Sequence, residues 1–276
     1  MRIPDWIVLL LVLSVVLWAL YSGDKNANAP EAPPEAVLKD AGPFLPGPGR
    51  YDDEVLVQLG DVTDGLGTAF SLDRRGLWMT ARHVVDGCDQ VGLIVGSGRM
   101  IEVHRIETPR GADLAILHTG RMPASLTVNT GEKLRVGEAG FHVGFPQGVP
   151  GEATSRLLSR SRLITRGRYR NEEPVLAWAE MGRTRGLEGT LAGISGGPVF
   201  NSAGEIIGVT VAESPRRGRI YTASPDSLQG MLEMTALQPE PGHGFPISID
   251  NYGREADRLR AENAVVKVVC YAEKGA

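Results

Sequence analysis

Cysteine and aromatic residues are scarce in this sequence of 276 residues. Only Cys88 and Cys270 are present, and Phe, Trp and Tyr together make up 6% of the chain. Two cysteines exclude a disulfide-rich scaffold, and they show no metal-ligand spacing. A basic excess is also missing, because 29 basic and 33 acidic residues leave a formal net charge of −4. This balance argues against a nucleic-acid-binding protein, and the 42% hydrophobic content argues against a disordered one.

Glycine, by contrast, is abundant, with 35 residues and no repeating G-X-Y period. Tight turns between short strands would account for it. From Val55 onward apolar and polar residues alternate with a period of two, in short runs bounded by Gly, Asp or Pro. The runs form two series, which predict an all-β domain with two strand-rich halves. The first series comprises residues 68–72, 77–80, 91–95, 101–106 and 114–118, and the second 140–145, 163–166, 175–180, 198–200, 205–212 and 219–223.

One long apolar run occurs at the amino terminus, where residues 6–23 carry no charge. These eighteen residues are just enough to cross the hydrocarbon core of a bilayer. Trp6 at one end, with Trp18 and Tyr21 at the other, resembles the aromatic belts of membrane interfaces. We therefore expect a membrane anchor at residues 1–23. A cleaved signal peptide is the alternative, although its small-residue site at residues 27–29 lies well beyond the apolar run.

Proline and polar residues mark the remaining boundaries. Six prolines between residues 30 and 48 favour an extended spacer, so residues 24–50 are interpreted as a linker. The folded domain is expected at residues 51–238. It would end in a short helix that is capped by Ser224, has Pro225 at its first position and runs to about Met234. Residues 239–276 are interpreted as a C-terminal extension with a helix at about 254–262 and an extra terminal strand at 264–272.

Three segments carry residues that suit acyl transfer. His83 follows an apolar strand in the segment TARHVV, where its imidazole can act as a general base. Asp113 opens the apolar strand DLAIL, where a partly buried carboxylate needs a partner such as a histidine N–H group. Ser195 lies in GISGGP, among glycines that let the backbone turn sharply and direct N–H groups at one spot.

Each of these residues taken alone is more often structural, since such serines and aspartates are common in turns. Their order along the chain, His then Asp then Ser, is that of the chymotrypsin class and not of subtilisin or the α/β-hydrolases. In this interpretation His83 takes the proton of the Ser195 hydroxyl and Asp113 orients His83. The N–H groups of Gly193 and Ser195 would bind the oxyanion.

The sequence resembles the trypsin-like serine peptidases, in particular the bacterial HtrA-type and related single-domain enzymes. The resemblance runs from about Val55 to Met234 and rests on the segments TARHVV, DLAIL, VGFPQG, GISGGPVFN and GEIIGVTVA, which follow the order of the family. It implies a double β-barrel of the chymotrypsin type, with six strands in each barrel and the active site in the cleft between them. It also implies that His83, Asp113 and Ser195 are the triad.

Two features depart from the pattern of the family. Ile194 stands where digestive relatives have an aspartate that pairs with a newly cut amino terminus, so activation through that salt bridge is not expected. Activity is then expected to depend on how the loop around Ile194 settles. Only 81 residues follow Ser195, which leaves no room for the PDZ module of full HtrA proteins, and regulation by such a module is not expected either.

The sequence gives fewer indications of substrate specificity than of catalytic residues. By analogy with the relatives, residues 189–191 and 209–212 are expected to line the pocket for the substrate side chain and to favour a small or medium apolar group. The arginine-rich stretch at residues 156–170 is interpreted as a solvated loop and strand edge. Binding of acidic substrates or anionic lipid head groups is the alternative for this stretch.

These observations predict a serine endopeptidase that acts on exported or membrane proteins, anchored on the non-cytoplasmic side of a membrane or secreted after signal cleavage. The alternative is a catalytically silent protease-like barrel that serves as a membrane-anchored binding or regulatory module. A protein or peptide substrate is the expected partner, with no cofactor, metal or nucleic acid, and the oligomeric state stays open. In an oxidising compartment Cys88 and Cys270 are expected to form a disulfide, with two independent thiols as the alternative.

Overall fold

The computed structural model describes residue 14 and residues 42–96, 98–108, 110–120, 125–236 and 244–272. Apart from residue 14, the predicted anchor lies outside this part of the chain, as does most of the predicted linker. Within the described residues, no helix has the length and apolar character needed to cross a membrane.

Two seven-stranded sheets form the fold, and this confirms the predicted all-β class. The strands in chain order are β1 (Asp53–Leu59), β2 (Gly65–Ser71), β3 (Leu77–Ala81), β4 (Gln90–Val95), β5 (Arg99–Glu102), β6 (Arg105–Glu107), β7 (Leu114–His118), β8 (Ala139–Gly144), β9 (Gly151–Gly167), β10 (Asn171–Arg183), β11 (Pro198–Phe200), β12 (Ile206–Ser214), β13 (Arg219–Ala223) and β14 (Val265–Tyr271). Each sheet has one strand more than the six implied by the resemblance, because β14 joins the first sheet and β1 joins the second.

The first sheet has the strand order β5-β4-β14-β2-β3-β7-β6. Its two edge strands, β5 and β6, are separated along the chain only by Val103 and His104. The Val103 N–H group donates to the carbonyl oxygen of Val91, and the His104 N–H group donates to that of His118. The sheet therefore curls round until its edges meet, which forms the first barrel.

The second sheet closes on itself, because β9 pairs with both β8 and β10 in the order β9-β10-β13-β12-β11-β8. β1 is added on the outside, parallel to residues 161–167 of β9. β9 is seventeen residues long, and the prediction of a strand at residues 163–166 was therefore too short. Polar residues are frequent before Leu163, with Ser and Arg alternating at residues 159–162, and this composition concealed the strand among residues that are usually solvated.

Three α-helices lie between and after the strands in the described chain: α1 (Arg82–Val85), α2 (Pro225–Met234) and α3 (Tyr252–Ala261). The helix predicted after Ser224 is confirmed, and the Ser224 side chain accepts a hydrogen bond from the Ser227 N–H group at its start. Arg260 of α3 donates to the carbonyl oxygen of Gly151 at 2.9 Å and pairs with the Glu152 carboxylate at 2.5 Å. α3 is thereby attached to the second barrel.

β14 occupies an interior position in the first sheet. Its residues 265–270 pair with β2 on one side, and residues 267–271 pair with β4 on the other. The strand predicted at residues 264–272 is thus present, and its side chains share a core with those of β2 and β4. A disulfide joins Cys270 of β14 to Cys88, with 5.5 Å between the two Cα atoms. The carboxyl-terminal strand is therefore held beside the segment that carries His83.

Candidate active site

His83 lies in the one-turn helix that follows β3. The Arg82 N–H group, at the start of α1, donates to the carbonyl oxygen of Asp113 at 3.1 Å, which ties the end of β3 to the start of β7. The His83 side chain is 19% exposed. The backbone next to His83 is thus fixed by this hydrogen bond, while part of the imidazole stays accessible to solvent.

Asp113 immediately precedes β7, and its side chain is only 4% exposed. One carboxylate oxygen, Oδ2, lies 2.6 Å from Nδ1 of His83. The other, Oδ1, accepts the His83 backbone N–H group at 2.9 Å. An ionised carboxylate can only accept hydrogen bonds, so in neutral His83 the proton is on Nδ1 and the Nε2 lone pair is free to take a proton.

Ser195 sits in a glycine-rich loop that follows β10. Gly193 and Gly196 have φ angles of +99° and +85°, which side chains rarely adopt. Two internal hydrogen bonds shape the loop, from the Ile194 N–H group to the Leu191 carbonyl at 2.9 Å and from the Gly197 N–H group to the Ile194 carbonyl at 2.8 Å. A third bond, from the Gly196 N–H group to the Thr210 carbonyl at 2.8 Å, joins the loop to β12. The sequence TLAGISGG folds this way because its glycines accept conformations that the turn requires.

The N–H groups of Gly193 and Ser195 have no acceptor anywhere in the described ranges. Ser195 is partly exposed. Both residues line a cavity of about 260 Å³ together with His83, Leu66 and Arg168. Unused N–H groups that face such an opening can bind a negatively charged oxygen. The structure therefore brings all four predicted site residues to one region: His83 and Asp113 from the first barrel, and Gly193 and Ser195 from the second.

Ile194 is 2% exposed and packs with Leu191 and Val199 in the apolar cluster of the second barrel. An aspartate at this position would need a charged partner. Here the burial of an apolar side chain fixes the loop, and the energy comes from the removal of its surface from water. Ile194 thus belongs to the packed core beneath the site.

The loop also has two polar supports that the sequence analysis missed. Thr68 of β2 donates its hydroxyl to the carbonyl oxygen of Gly193 at 2.8 Å. The Gln147 side chain donates to the carbonyl oxygens of Glu188 and Thr190 at 2.7 and 2.8 Å. Gln147 belongs to the VGFPQG segment and Thr68 to the predicted strand at residues 68–72, but nothing local distinguished them from ordinary turn and strand residues.

The loop at residues 189–191 was predicted to line the substrate pocket. Glu213 of β12 accepts the Leu191 N–H group with both carboxylate oxygens, each at 2.9 Å, and also binds the Thr190 hydroxyl. Its carboxylate is therefore occupied by this loop.

The arginine-rich stretch is part of β9 and of the turn between β9 and β10. Arg168 does not lie on a purely solvated edge, as the sequence analysis expected, because it donates to the carbonyl oxygens of His83, at 2.9 Å, and of Asp86. In the same turn, Tyr169 donates its hydroxyl to Oδ1 of Asp113 at 2.6 Å. No sequence signal pointed to either contact, since both join residues far apart in the chain.

A second carboxyl group lies behind Asp113. Glu173 of β10 is 1% exposed and accepts the Asp113 backbone N–H group at 2.6 Å. Burial, and then the neighbouring charge of Asp113, raises the pKa of Glu173 to about 8. Glu173 is thus mostly neutral at pH 7. No group of three or more His, Cys, Asp or Glu side chains in the described chain, including the group of His83, Asp113 and Glu173, is arranged to hold a metal ion.

Two β-barrels with a histidine, a buried aspartate and a serine at their junction define the class of chymotrypsin-type serine hydrolases. The profile of the trypsin-like peptidase domain family matches residues 67–209, just over half of the sequence. This chain belongs to that family. The match includes His83, Asp113 and Ser195, and it ends before α3 and β14.

Three individual proteins that resemble this chain are 30% identical to it or less over the aligned residues. A probable periplasmic serine endoprotease DegP-like from Halomonas elongata is 28% identical over 202 residues, which cover 72% of this chain and 36% of the relative. A putative serine protease HhoA from Synechocystis is 30% identical over 187 residues, 64% of this chain and 45% of the relative. The chain thus spans less than half the length of these relatives. The active form of the Rv3671c protease from M. tuberculosis has a similar fold, with a TM-score of 0.51 and 21% identity over 66% of this chain and 78% of that one.

Proposed function

We propose that this chain is a serine endopeptidase in which Ser195 is the nucleophile, His83 the general base and Asp113 the group that orients His83. The observation that carries the proposal is the cavity lined by Ser195, His83 and Gly193, with Asp113 bound to the far side of the imidazole. The unused N–H groups of Gly193 and Ser195 are proposed as the oxyanion hole.

The reaction would proceed through an acyl-enzyme. The Ser195 hydroxyl attacks the scissile carbonyl carbon, and its proton passes to Nε2 of His83. The charge that develops on the carbonyl oxygen is bound by the two N–H groups. When the tetrahedral intermediate collapses, the C–N bond breaks and the departing amine takes the proton from His83. A water molecule, deprotonated by the same imidazole, then attacks the ester and releases the acid and the free serine.

Location and substrates are proposed on separate grounds. The apolar run at residues 6–23 supports attachment to a membrane, with the two barrels on its non-cytoplasmic side. The Cys88–Cys270 disulfide fits an oxidising compartment, and the name of the Halomonas relative describes it as periplasmic. Exported proteins or exposed segments of membrane proteins are therefore the proposed substrates.

Reaction with a fluorophosphonate probe tests the proposal directly, because this reagent labels only an activated serine. We expect stoichiometric labelling of the wild type and none of Ser195→Ala. Ser202→Ala is the matched control, since Ser202 is exposed and lies in a turn between β11 and β12. A folded wild type that is unlabelled between pH 5 and 8 would contradict the proposal and would favour a silent barrel used for binding.

A further inference from the structure

The turn between β9 and β10 connects the second barrel to the His83 and Asp113 segment of the first. Residues 168–170 form the turn. Arg168 holds the backbone of α1 through the carbonyl oxygens of His83 and Asp86. The Arg82 guanidinium lies over the Tyr169 ring, 3.9 Å from its centroid. The turn is thus fixed on both sides, and its phenol has a defined position.

The Tyr169 hydroxyl reaches the carboxylate of Asp113. Its oxygen lies 2.6 Å from Oδ1, the same atom that accepts the His83 N–H group at 2.9 Å. Oδ1 is therefore held by two donors, which leaves Oδ2 for Nδ1 of His83. Partial burial and the adjacent Asp113 charge raise the pKa of Tyr169 well above its usual value, so the phenol keeps its proton and donates it.

We propose that Tyr169 is a positioning residue that acts through Asp113, both by fixing the carboxylate in the plane that His83 needs and by limiting how strongly the carboxylate stabilises protonated His83. This inference rests on the proposed peptidase function. A hydrogen bond from a phenol draws negative charge toward Oδ1 and away from Oδ2. Without it, Oδ2 would carry more charge, and the imidazole beside it would hold a proton more tightly.

The charged surroundings of this contact come from several elements. Glu173 approaches from β10 and is mostly neutral at pH 7, so the Asp113 carboxylate dominates the field at the phenol. The charged and titratable groups that face Tyr169 or its acceptor are Arg82, His83, Asp86, Asp113, Arg168 and Glu173.

Tyr169→Phe removes only the hydroxyl and keeps the ring under Arg82. We expect kcat/KM at its plateau to fall by about 10-fold, the scale of one hydrogen bond to a charged group. KM should change by less than about twofold, since no substrate contact is lost. The acid limb of the pH profile should move to higher pH. Tyr221→Phe is the matched control, because Tyr221 is a buried tyrosine of β13 whose hydroxyl makes no hydrogen bond in the described structure. We expect it to leave both rate and profile unchanged.

A spectroscopic measurement separates this inference from the proposed function. The ring carbon–proton signal of His83, assigned by its absence in His83→Ala, is followed against pH in resting protein. A midpoint at higher pH in Tyr169→Phe than in the wild type supports the inference, even if the wild type cleaves nothing. An unmoved midpoint overturns it, and a fall in rate with an unmoved profile would then reflect packing alone.

Discussion

Thr68 of the first barrel donates its hydroxyl to the carbonyl oxygen of Gly193 at 2.8 Å. The same hydroxyl accepts the Phe145 N–H group at 3.1 Å, and the Thr68 backbone N–H group donates to the carbonyl oxygen of Ser195 at 2.8 Å. Thr68 is fully buried. The Thr68 side chain therefore holds the peptide group that follows Gly193 and links the loop around Ser195 to both β2 and the end of β8.

Replacement of the Thr68 hydroxyl should lower both stability and activity. Thr68→Val keeps the shape of the side chain but frees the Gly193 carbonyl and leaves the Phe145 N–H group without its acceptor. We expect the free energy of unfolding to fall by about 1–3 kcal/mol. The kcat of a peptide substrate should fall by about 10²-fold, as for the loss of one oxyanion donor, because the Gly193 N–H group is no longer aimed.

Thr68→Ser is the matched control, since it keeps the hydroxyl and loses one methyl group. We expect it to retain most of the kcat of the wild type. Urea unfolding monitors stability, and initial rates at saturating substrate monitor kcat. Equal activity of the Val and Ser variants would show that the hydroxyl does not hold the loop.

The Cys88–Cys270 disulfide should contribute substantially to stability. It closes a loop of 182 residues in sequence, and such a cross-link restricts the unfolded chain more than the folded one. We expect Cys88→Ser/Cys270→Ser to lose about 2–5 kcal/mol of unfolding free energy in urea titrations.

Each single Cys→Ser variant provides a check on this interpretation. Because either one breaks the bridge, each should lose nearly as much stability as the double variant, which is the non-additivity of a shared interaction. Two free thiols in denatured, unreduced wild type would contradict the disulfide.

His142 should lower the stability of the folded protein as the pH falls. The ring is fully buried in the second barrel, with Nε2 2.7 Å from Oγ of Ser155, and burial lowers the pKa of His142 to about 3, from 6.5 in an exposed histidine. Below pH 6.5 His142 is therefore protonated in the unfolded chain but stays neutral in the folded chain. The stability that this group contributes is present above pH 6.5 and is lost as the pH falls toward 3, at about 1.4 kcal/mol per pH unit.

Urea unfolding at pH 7, 6 and 5 measures this slope. We expect His142→Gln to show a shallower loss of stability on acidification than the wild type, by roughly 2 kcal/mol between pH 6.5 and 5. His104→Gln is the control, since His104 is exposed, and it should follow the wild type. Identical slopes for all three proteins would mean that His142 takes up its proton in the folded state.

The sequence predicted much of the local structure and most of the site. Strands such as β3, β4 and β7 were recognisable from alternation and from bounding Gly and Asp residues, and α2 from its cap at Ser224. The first half of β9 was not, because strand pairing with β8 and β10 overrides its polar composition. Nor was the place of β14, since alternation identifies a strand but not its neighbours.

Tyr169 and Thr68 mark the limit of prediction at the site. Tyr169 meets Asp113 across 56 residues of sequence, and Thr68 meets Gly193 across 125. Neither residue type implies such a contact, because tyrosine and threonine are ordinary components of turns and strands. Only the arrangement of the two barrels creates these hydrogen bonds.

The amino-acid sequence alone determined the local elements. Period-two alternation predicted the strands, the glycines around Ser195 predicted a sharp loop, and His83 and Asp113 were recognisable as candidate groups for proton transfer. These depend on backbone preferences and on neighbours a few residues away. Tertiary structure decided which strand lies beside which, what holds the carboxylate and the loop, and which N–H groups are left without an acceptor. Those outcomes depend on the packing of distant segments, whose contact energies no local pattern encodes.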